Sequence, residues 1–257
     1  ESVTYQTLNS LSWPETICWI GIRLAKALDY AHQKGVLHRD IKPANVLLTA
    51  EGVPKLADFN ISFSSHVTGT TPAAYFGGSL AYMSPEQLEA YDPTHTRLPE
   101  SLDERSDLFS LGLMLAELLT GKRPFENPAM TDSWSSLLSQ MIEQRKAGQS
   151  LQAAPQHLPP DCPEHLITVL QKCLAPNPAE RWSSGQELAS QLELCLNPRA
   201  QQILFPSSKS WFARCTGCEV LIVILIVAIP NILAGLFNFF HNQKHIIEQL
   251  KNSQDAF

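Results

Sequence analysis

Apolar residues recur along this chain at spacings that change from one segment to the next. Residues 1–12 are polar and weakly patterned. Trp13-Pro14-Glu15 then opens a helix, with proline and glutamate suited to its first turn. Ile17, Ile20, Leu24, Ala27, Leu28 and Ala31 follow at three- and four-residue spacing, which predicts an amphipathic helix to about His32 that Gly35 stops. Three short apolar runs come next: Val36-Leu37, Val46-Leu47-Leu48 and Lys55-Leu56-Ala57. The last two flank Ala50-Glu51-Gly52 and predict a hairpin. Residues 38–45 are therefore expected in a loop between strands. From Asp58 to Glu86 periodicity is lost among Ser, Thr and Gly, predicting a long irregular loop. A strongly apolar helix is predicted over about 102–119, closed by Gly121, and further helices near 133–147, 163–174 and 184–196.

The last quarter changes character. Residues 197–218 are a polar connector, and Val220–Phe240 holds no charged residue. About 20 residues at about 1.5 Å each cover about 30 Å, the depth of a bilayer core, so this segment is expected to cross a membrane once. Pro230 should kink it. Asn231, Ala234, Gly235 and Asn238 share one face. That stripe either packs against another helix, in a homodimer for example, or is merely tolerated; the pattern leaves both open.

Composition narrows the function classes. The 257 residues are 44% hydrophobic and carry a net charge of −6, with a pI near 5.7. That leaves room for a sizeable core and gives no basic footprint for nucleic acid. The chain starts at Glu1 with no signal-peptide pattern, and is expected to be a piece of a longer protein. Six cysteines occur, most in apolar helical context where a thiol acts as a small hydrophobe. Cys215 and Cys218 form a lone C-x-x-C without two further ligands nearby, so they are expected to be juxtamembrane thiols and not a zinc site. His32, His66, His95, His157 and His165 show no paired spacing and are expected at the surface or in packing.

The most informative segment is His38-Arg39-Asp40-Ile41-Lys42-Pro43-Ala44-Asn45. A carboxylate, a cation two residues on and an amide stand within one short loop. Five such fixed positions arise by chance in roughly one sequence of this length in 10,000. The segment resembles the catalytic loop of protein kinases, His-Arg-Asp-x-x-x-x-Asn. Asp58-Phe59-Asn60 lies where that family keeps Asp-Phe-Gly, and Ser84-Pro85-Glu86 where it keeps Ala-Pro-Glu. Asp107, in Asp-Leu-Phe-Ser-Leu-Gly, and Arg181, in Asn-Pro-Ala-Glu-Arg, match two further family positions. Tyr82–Leu88 and Asp103–Asp107 look most like the bacterial, Hanks-type relatives of eukaryotic serine/threonine kinases.

That resemblance implies the fold: a mainly α (α+β) kinase C-terminal lobe with small β-hairpins over residues 13–196, plus one transmembrane helix. Residues 1–12 would end the hinge region, 197–218 link to the membrane, 219–240 span it, and 241–257 start a truncated C-terminal region. It also implies roles. Asp40 would be the base for the substrate hydroxyl, and Lys42 would contact the transferred phosphate, a spacing typical of the serine/threonine branch. Asn45 and Asp58 would hold Mg²⁺, and Arg39 would grip an activation-loop phosphate. Ser79 would join Asp40 and Lys42 at the substrate loop. His38, Glu86, Asp107 and Arg181 would be structural, and Thr68, Thr70 and Thr71 are candidate phosphoacceptors. Asn60 in place of glycine is permissive, because asparagine tolerates φ > 0.

ATP, Mg²⁺ and protein substrates follow as ligands, with membrane lipid around the span and the kinase region in the cytoplasm. No Gly-x-Gly-x-x-Gly and no Val-Ala-Ile-Lys occur. The nucleotide-covering N-lobe would precede Glu1, and this chain alone is expected to be inactive. The alternative is a pseudokinase-type membrane scaffold or binding module.

Overall fold

The computed structural model of the chain describes residues 3–59, 79–126, 128, 133–148, 150, 151, 157–197 and 219–254. It divides into two compact units, Glu1–Gln201 and Gln202–Phe257.

In the first unit, α1 (Val3–Ser10) precedes α2 (Trp13–His32). Helix α1 is a difference from the irregular segment expected there. Its Leu8 reaches the hairpin turn, where a Cβ on Gly52 would lie 2.6 Å from the leucine Cδ1; tertiary contact outweighs the weak local pattern. Helix α2 starts as expected. The Ser12 N–H donates to the Glu15 carboxylate at 2.8 Å, satisfying one of the donors a helix start leaves open. Its buried side, from Ile17 to Leu28, packs on α4 (Glu104–Thr120) and α7 (Gly185–Cys195).

Helix α4 is the axis of the unit. Leu108, Phe109, Leu111, Leu113, Met114 and Leu115 are all buried, so the helix is enclosed on every side. Asp103 caps its start by accepting from the Arg105 N–H, and Gly121 ends it at φ 71°. Gly112 lets α6 (Glu164–Cys173) approach, since a Cβ there would sit 2.2 Å from that of Cys173. Burial pushes the Cys173 thiol up to about 12, so it packs as a small apolar group. Cys18, Cys162 and Cys195 form no disulfide; Cys215 and Cys218 lie outside the described residues.

Strands β1 (Val46–Leu48) and β2 (Pro54–Leu56) pair antiparallel with Val46 opposite Leu56. Val36-Leu37 does not become a strand. It is too short to pair alone, and the chain there is held instead by hydrogen bonds from the next two residues to Asp107. Helix α3 (Pro85–Tyr91) is capped by Ser84, whose hydroxyl accepts from the Gln87 N–H. It packs on α5 (Trp134–Ala147). Between them lies a second, smaller core of Leu80, Met83, Leu88, Leu137, Leu138, Met141 and Ile142, separate from the main one.

In the second unit the described residues form one helix, α8 (Glu219–Gln254), continuous through Pro230. Its segment Ile224–Ile247 is 24 residues, long and apolar enough to cross a membrane. The Asn231 amide donates to the Val227 carbonyl at 2.7 Å, which uses one of its donors within its own helix.

Candidate active site

The loop between α2 and β1 is built around one buried carboxylate. Asp107, near the start of α4, accepts from the backbone N–H of His38 and of Arg39, each at 2.8 Å, and contacts His32 Nε2 at 2.8 Å. Arg39 is thereby held at φ 64°, a left-handed conformation that costs a residue with a Cβ about 1 kcal/mol. The Gln87 side-chain amide donates to the Arg39 carbonyl, so the strained residue is gripped at both ends of its peptide. His32, expected only as a surface or packing residue, thus belongs to the support of the loop. Its place at the C-terminal end of α2, six residues before His38, was the available signal.

Asp107→Asn tests this support. An amide offers one acceptor oxygen where the carboxylate offers two, and its NH₂ would face an N–H. A loss of about 2 kcal/mol is expected, read as a lowered urea midpoint at unchanged slope.

His38 is fully buried. Its Nε2 lies 3.0 Å from the Ala57 carbonyl and its ring 4.4 Å from that of Phe59. One imidazole therefore fastens the loop to the end of the hairpin. The Ala57 N–H donates to the Asn45 carbonyl at 2.9 Å, which brings Asp58 beside Asn45. Asp58 is exposed and also left-handed, at φ 57°.

Asp40, Lys42, Asn45 and Ser79 form one hydrogen-bonded cluster. The Asp40 carboxylate receives Lys42 Nζ at 2.9 Å and Asn45 Nδ2 at 3.0 Å. Asn45 Nδ2 also donates to the Asp40 carbonyl at 2.7 Å. Lys42 Nζ donates to Ser79 Oγ at 2.7 Å, crossing to the 3₁₀ turn Ser79–Tyr82. Asp40 and Lys42 keep 20% and 18% of their side-chain surface, open enough for a substrate to reach. The Asn45 nitrogen is spent on Asp40, which turns the amide oxygen the other way. That oxygen and the exposed Asp58 carboxylate are hard donors of the kind Mg²⁺ prefers. Among the described residues no group of three His, Cys, Asp or Glu could hold a metal ion. Mg²⁺ does not require one, because it is usually bound through one or two carboxylates, substrate phosphates and water.

Glu86 and Arg181 also meet. Arg181 Nη1 and Nη2 donate to the two Glu86 oxygens at 2.6 and 2.9 Å, with side-chain exposures of 0% and 6%. Asn60, Thr68, Thr70 and Thr71 lie outside the described residues.

Arg145 was missed from sequence as well as His32. Arg145 of α5 is buried beneath the Ser79–Met83 turn and donates to the carbonyls of Leu80, Ala81 and Met83. The signal was present: Leu138, Met141, Ile142 and Arg145 recur at helical spacing, which places Arg145 on the inward face.

A family model described as protein kinase domain matches residues 11–192. A probable serine/threonine-protein kinase of Clostridium perfringens is 34% identical over 174 residues, 68% of this chain and 23% of that protein. Another of Streptomyces coelicolor is 35% identical over 187 residues, covering 72% and 25%. The serine/threonine-protein kinase PknB of Mycobacterium tuberculosis is 33% identical over 190 residues, covering 72% and 27%. The chain thus spans about a quarter of the length of these curated relatives. The crystal structure of the Mycobacterium tuberculosis PknI kinase domain aligns with TM-score 0.46 at 28% identity, covering 75% of this chain and 59% of that one.

Proposed function

The chain belongs to the protein kinase family, and from that premise we propose that it is the catalytic half of a membrane-anchored serine/threonine kinase. The observation that carries the reading is the Asp40–Lys42–Asn45–Ser79 cluster. It sets a carboxylate, a cation and a hydroxyl-bearing loop within hydrogen-bond reach of one another.

In this reading Asp40 orients a substrate serine or threonine hydroxyl and accepts its proton. Lys42 is already poised between Asp40 and the loop that faces the substrate, and steadies the negative charge of the group in transfer. The Asn45 amide oxygen and the Asp58 carboxylate would hold Mg²⁺, which supplies charge neutralisation on the phosphates of ATP. Asp107, with His32 and Gln87, keeps the loop backbone in its strained form so that Asp40 needs no reorganisation.

Residues 1–257 contain no glycine-rich phosphate cradle and no Val-Ala-Ile-Lys strand. The proposal therefore includes a nucleotide-covering segment outside them. Helix α8 would place the kinase region at a membrane, with residues 1–218 on the side where ATP is. The Asn231–Asn238 stripe supports a helix pair less than its pattern suggests, because Asn231 already has a partner in its own helix.

The test is transfer of labelled γ-phosphate from Mg²⁺–ATP to serine and threonine peptides by the full-length protein in detergent. Label on the peptides is expected from the full-length protein, and none from residues 1–257 alone. Nucleotide binding by the full-length protein without turnover would favour a pseudokinase scaffold. Transfer by residues 1–257 alone would remove the need for a further segment.

A further inference from the structure

The most unusual charge in the molecule lies outside the cluster above. Arg145 is 1% exposed, and among the described residues all its hydrogen-bond partners are carbonyls. Nε donates to Met83 at 2.7 Å, and Nη2 to Leu80 and Ala81 at 3.1 and 3.0 Å. Nη1 reaches Met141 in its own helix at 3.3 Å. The Phe125 ring lies 5.2 Å from the guanidinium carbon. Burial, with Arg123 adding to it, pushes the group down to about 10, so it is still the cation at neutral pH. A buried cation without a carboxylate is expensive. A methionine would fill the same space at lower cost if packing were the only requirement.

What the cation does is hold a backbone. The three loop carbonyls sit over the small second core; that of Leu80 also accepts the Met83 N–H at 3.3 Å, and without Arg145 those of Ala81 and Met83 would be buried acceptors short of a donor. The loop is fixed at two further points, both through side chains: Ser79 to Lys42 at 2.7 Å, and Tyr82 Oη to Glu117 at 2.6 Å. Arg145 grips its main chain. Leu80 and Met83 pack in the second core, while Tyr82 of the same turn rests against the main one, so the backbone around Leu80 and Met83 can shift while α2, α4 and α7 stay closed. Local openings of this kind are common where a segment rests on few contacts of its own.

We propose that Arg145 is a positioning residue for the kinase reaction: by fixing the 80–83 backbone it sets where Ser79 meets Lys42, and so how a protein substrate is received. This rests on the kinase reading above. It assigns to α5 a share in substrate affinity, although α5 contributes no side chain to the Asp40 cluster. The requirement is for a fork and not only a charge. The planar guanidinium aims three of its donors at the three loop carbonyls and a fourth at Met141, whereas an ammonium is a point donor on a flexible stem.

The test compares wild-type full-length protein with Arg145→Met and Arg145→Lys in steady-state kinetics, varying peptide and ATP separately. Arg145→Met is expected to raise KM for the peptide about tenfold or more, with KM for ATP unchanged and Arg145→Lys intermediate. Mere loss of folded protein lowers kcat and leaves both KM values alone, so that pattern overturns the proposal. So does a parallel rise of both KM values. Amide hydrogen exchange decides it independently of turnover. In Arg145→Lys, which keeps the charge and is the variant that tolerates folding better, exchange in 79–88 should rise about tenfold while α4 stays protected. Unchanged exchange in 79–88 overturns the proposal. Wild-type protein that transfers no phosphate would instead defeat the kinase reading, leaving the exchange result to decide the role of Arg145 in the loop.

Discussion

Asp40→Asn is expected to leave the protein folded and to lower kcat by a factor of about 10² to 10⁴, the usual worth of a positioned proton acceptor. The substitution is nearly isosteric. The asparagine oxygen can still accept from Lys42 and from Asn45, the two groups now on the Asp40 carboxylate. Lys42 also keeps Ser79, and Asn45 keeps the Asp40 carbonyl. What disappears is a negative charge and a proton acceptor, while the geometry of the loop persists. KM for ATP should therefore stay near wild type, and the melting temperature should move little. The measurement is single-turnover transfer by the full-length protein, which separates chemistry from product release. Retention of the wild-type rate would show that another group takes the proton. A variant that melts much earlier would show that Asp40 is chiefly a support for Lys42 and Asn45.

Why the site was so legible, and its supports less so, follows from what each residue needs. Asp40, Lys42 and Asn45 act within one loop, so their spacing in the sequence is close to their spacing in space. Glu86 and Arg181 are 95 positions apart, yet each stands in a recognisable local phrase, and the structure joins them. Arg145 and His32 have no such phrase. Their roles depend on α5 lying under the 80–83 turn and on α2 ending beside Asp107, relations between elements that periodicity along one element cannot express. Periodicity did place α2, α4, α6 and α7 to within a residue or two. It missed α1, whose register comes from contact with the hairpin turn, and α3, where Ser84-Pro85-Glu86 was weighed as a motif and not as a cap followed by a first turn. Val36-Leu37 failed the other way, because two residues carry apolar character but no pairing partner.

Removing Arg181 is expected to be the most damaging single change to stability, about 3–5 kcal/mol for Arg181→Met. All five of its N–H donors are in use. Two go to Glu86, and one each to the carbonyls of Ala175, Arg105 and Pro176. The guanidinium also lies 4.7 Å from the centre of the Phe109 ring, on the axial helix α4. The substitution therefore strands a buried carboxylate and takes a donor from each of three carbonyls. Glu86→Leu strands only the cation, and that cation retains its three carbonyls. Its cost should be smaller, and the double variant should recover part of the Arg181→Met loss because no lone carboxylate remains. The magnitude of that recovery reports what the ion pair contributes beyond filling space. Urea midpoints of the three variants and the wild type close the cycle. If Arg181→Met and Glu86→Leu simply add in the double variant, the two side chains are not coupled and the pair is ornamental to the fold. If the double variant is as stable as wild type, the charges serve the placement of α3 and of the loop before it, and their effect will appear in turnover and not in stability.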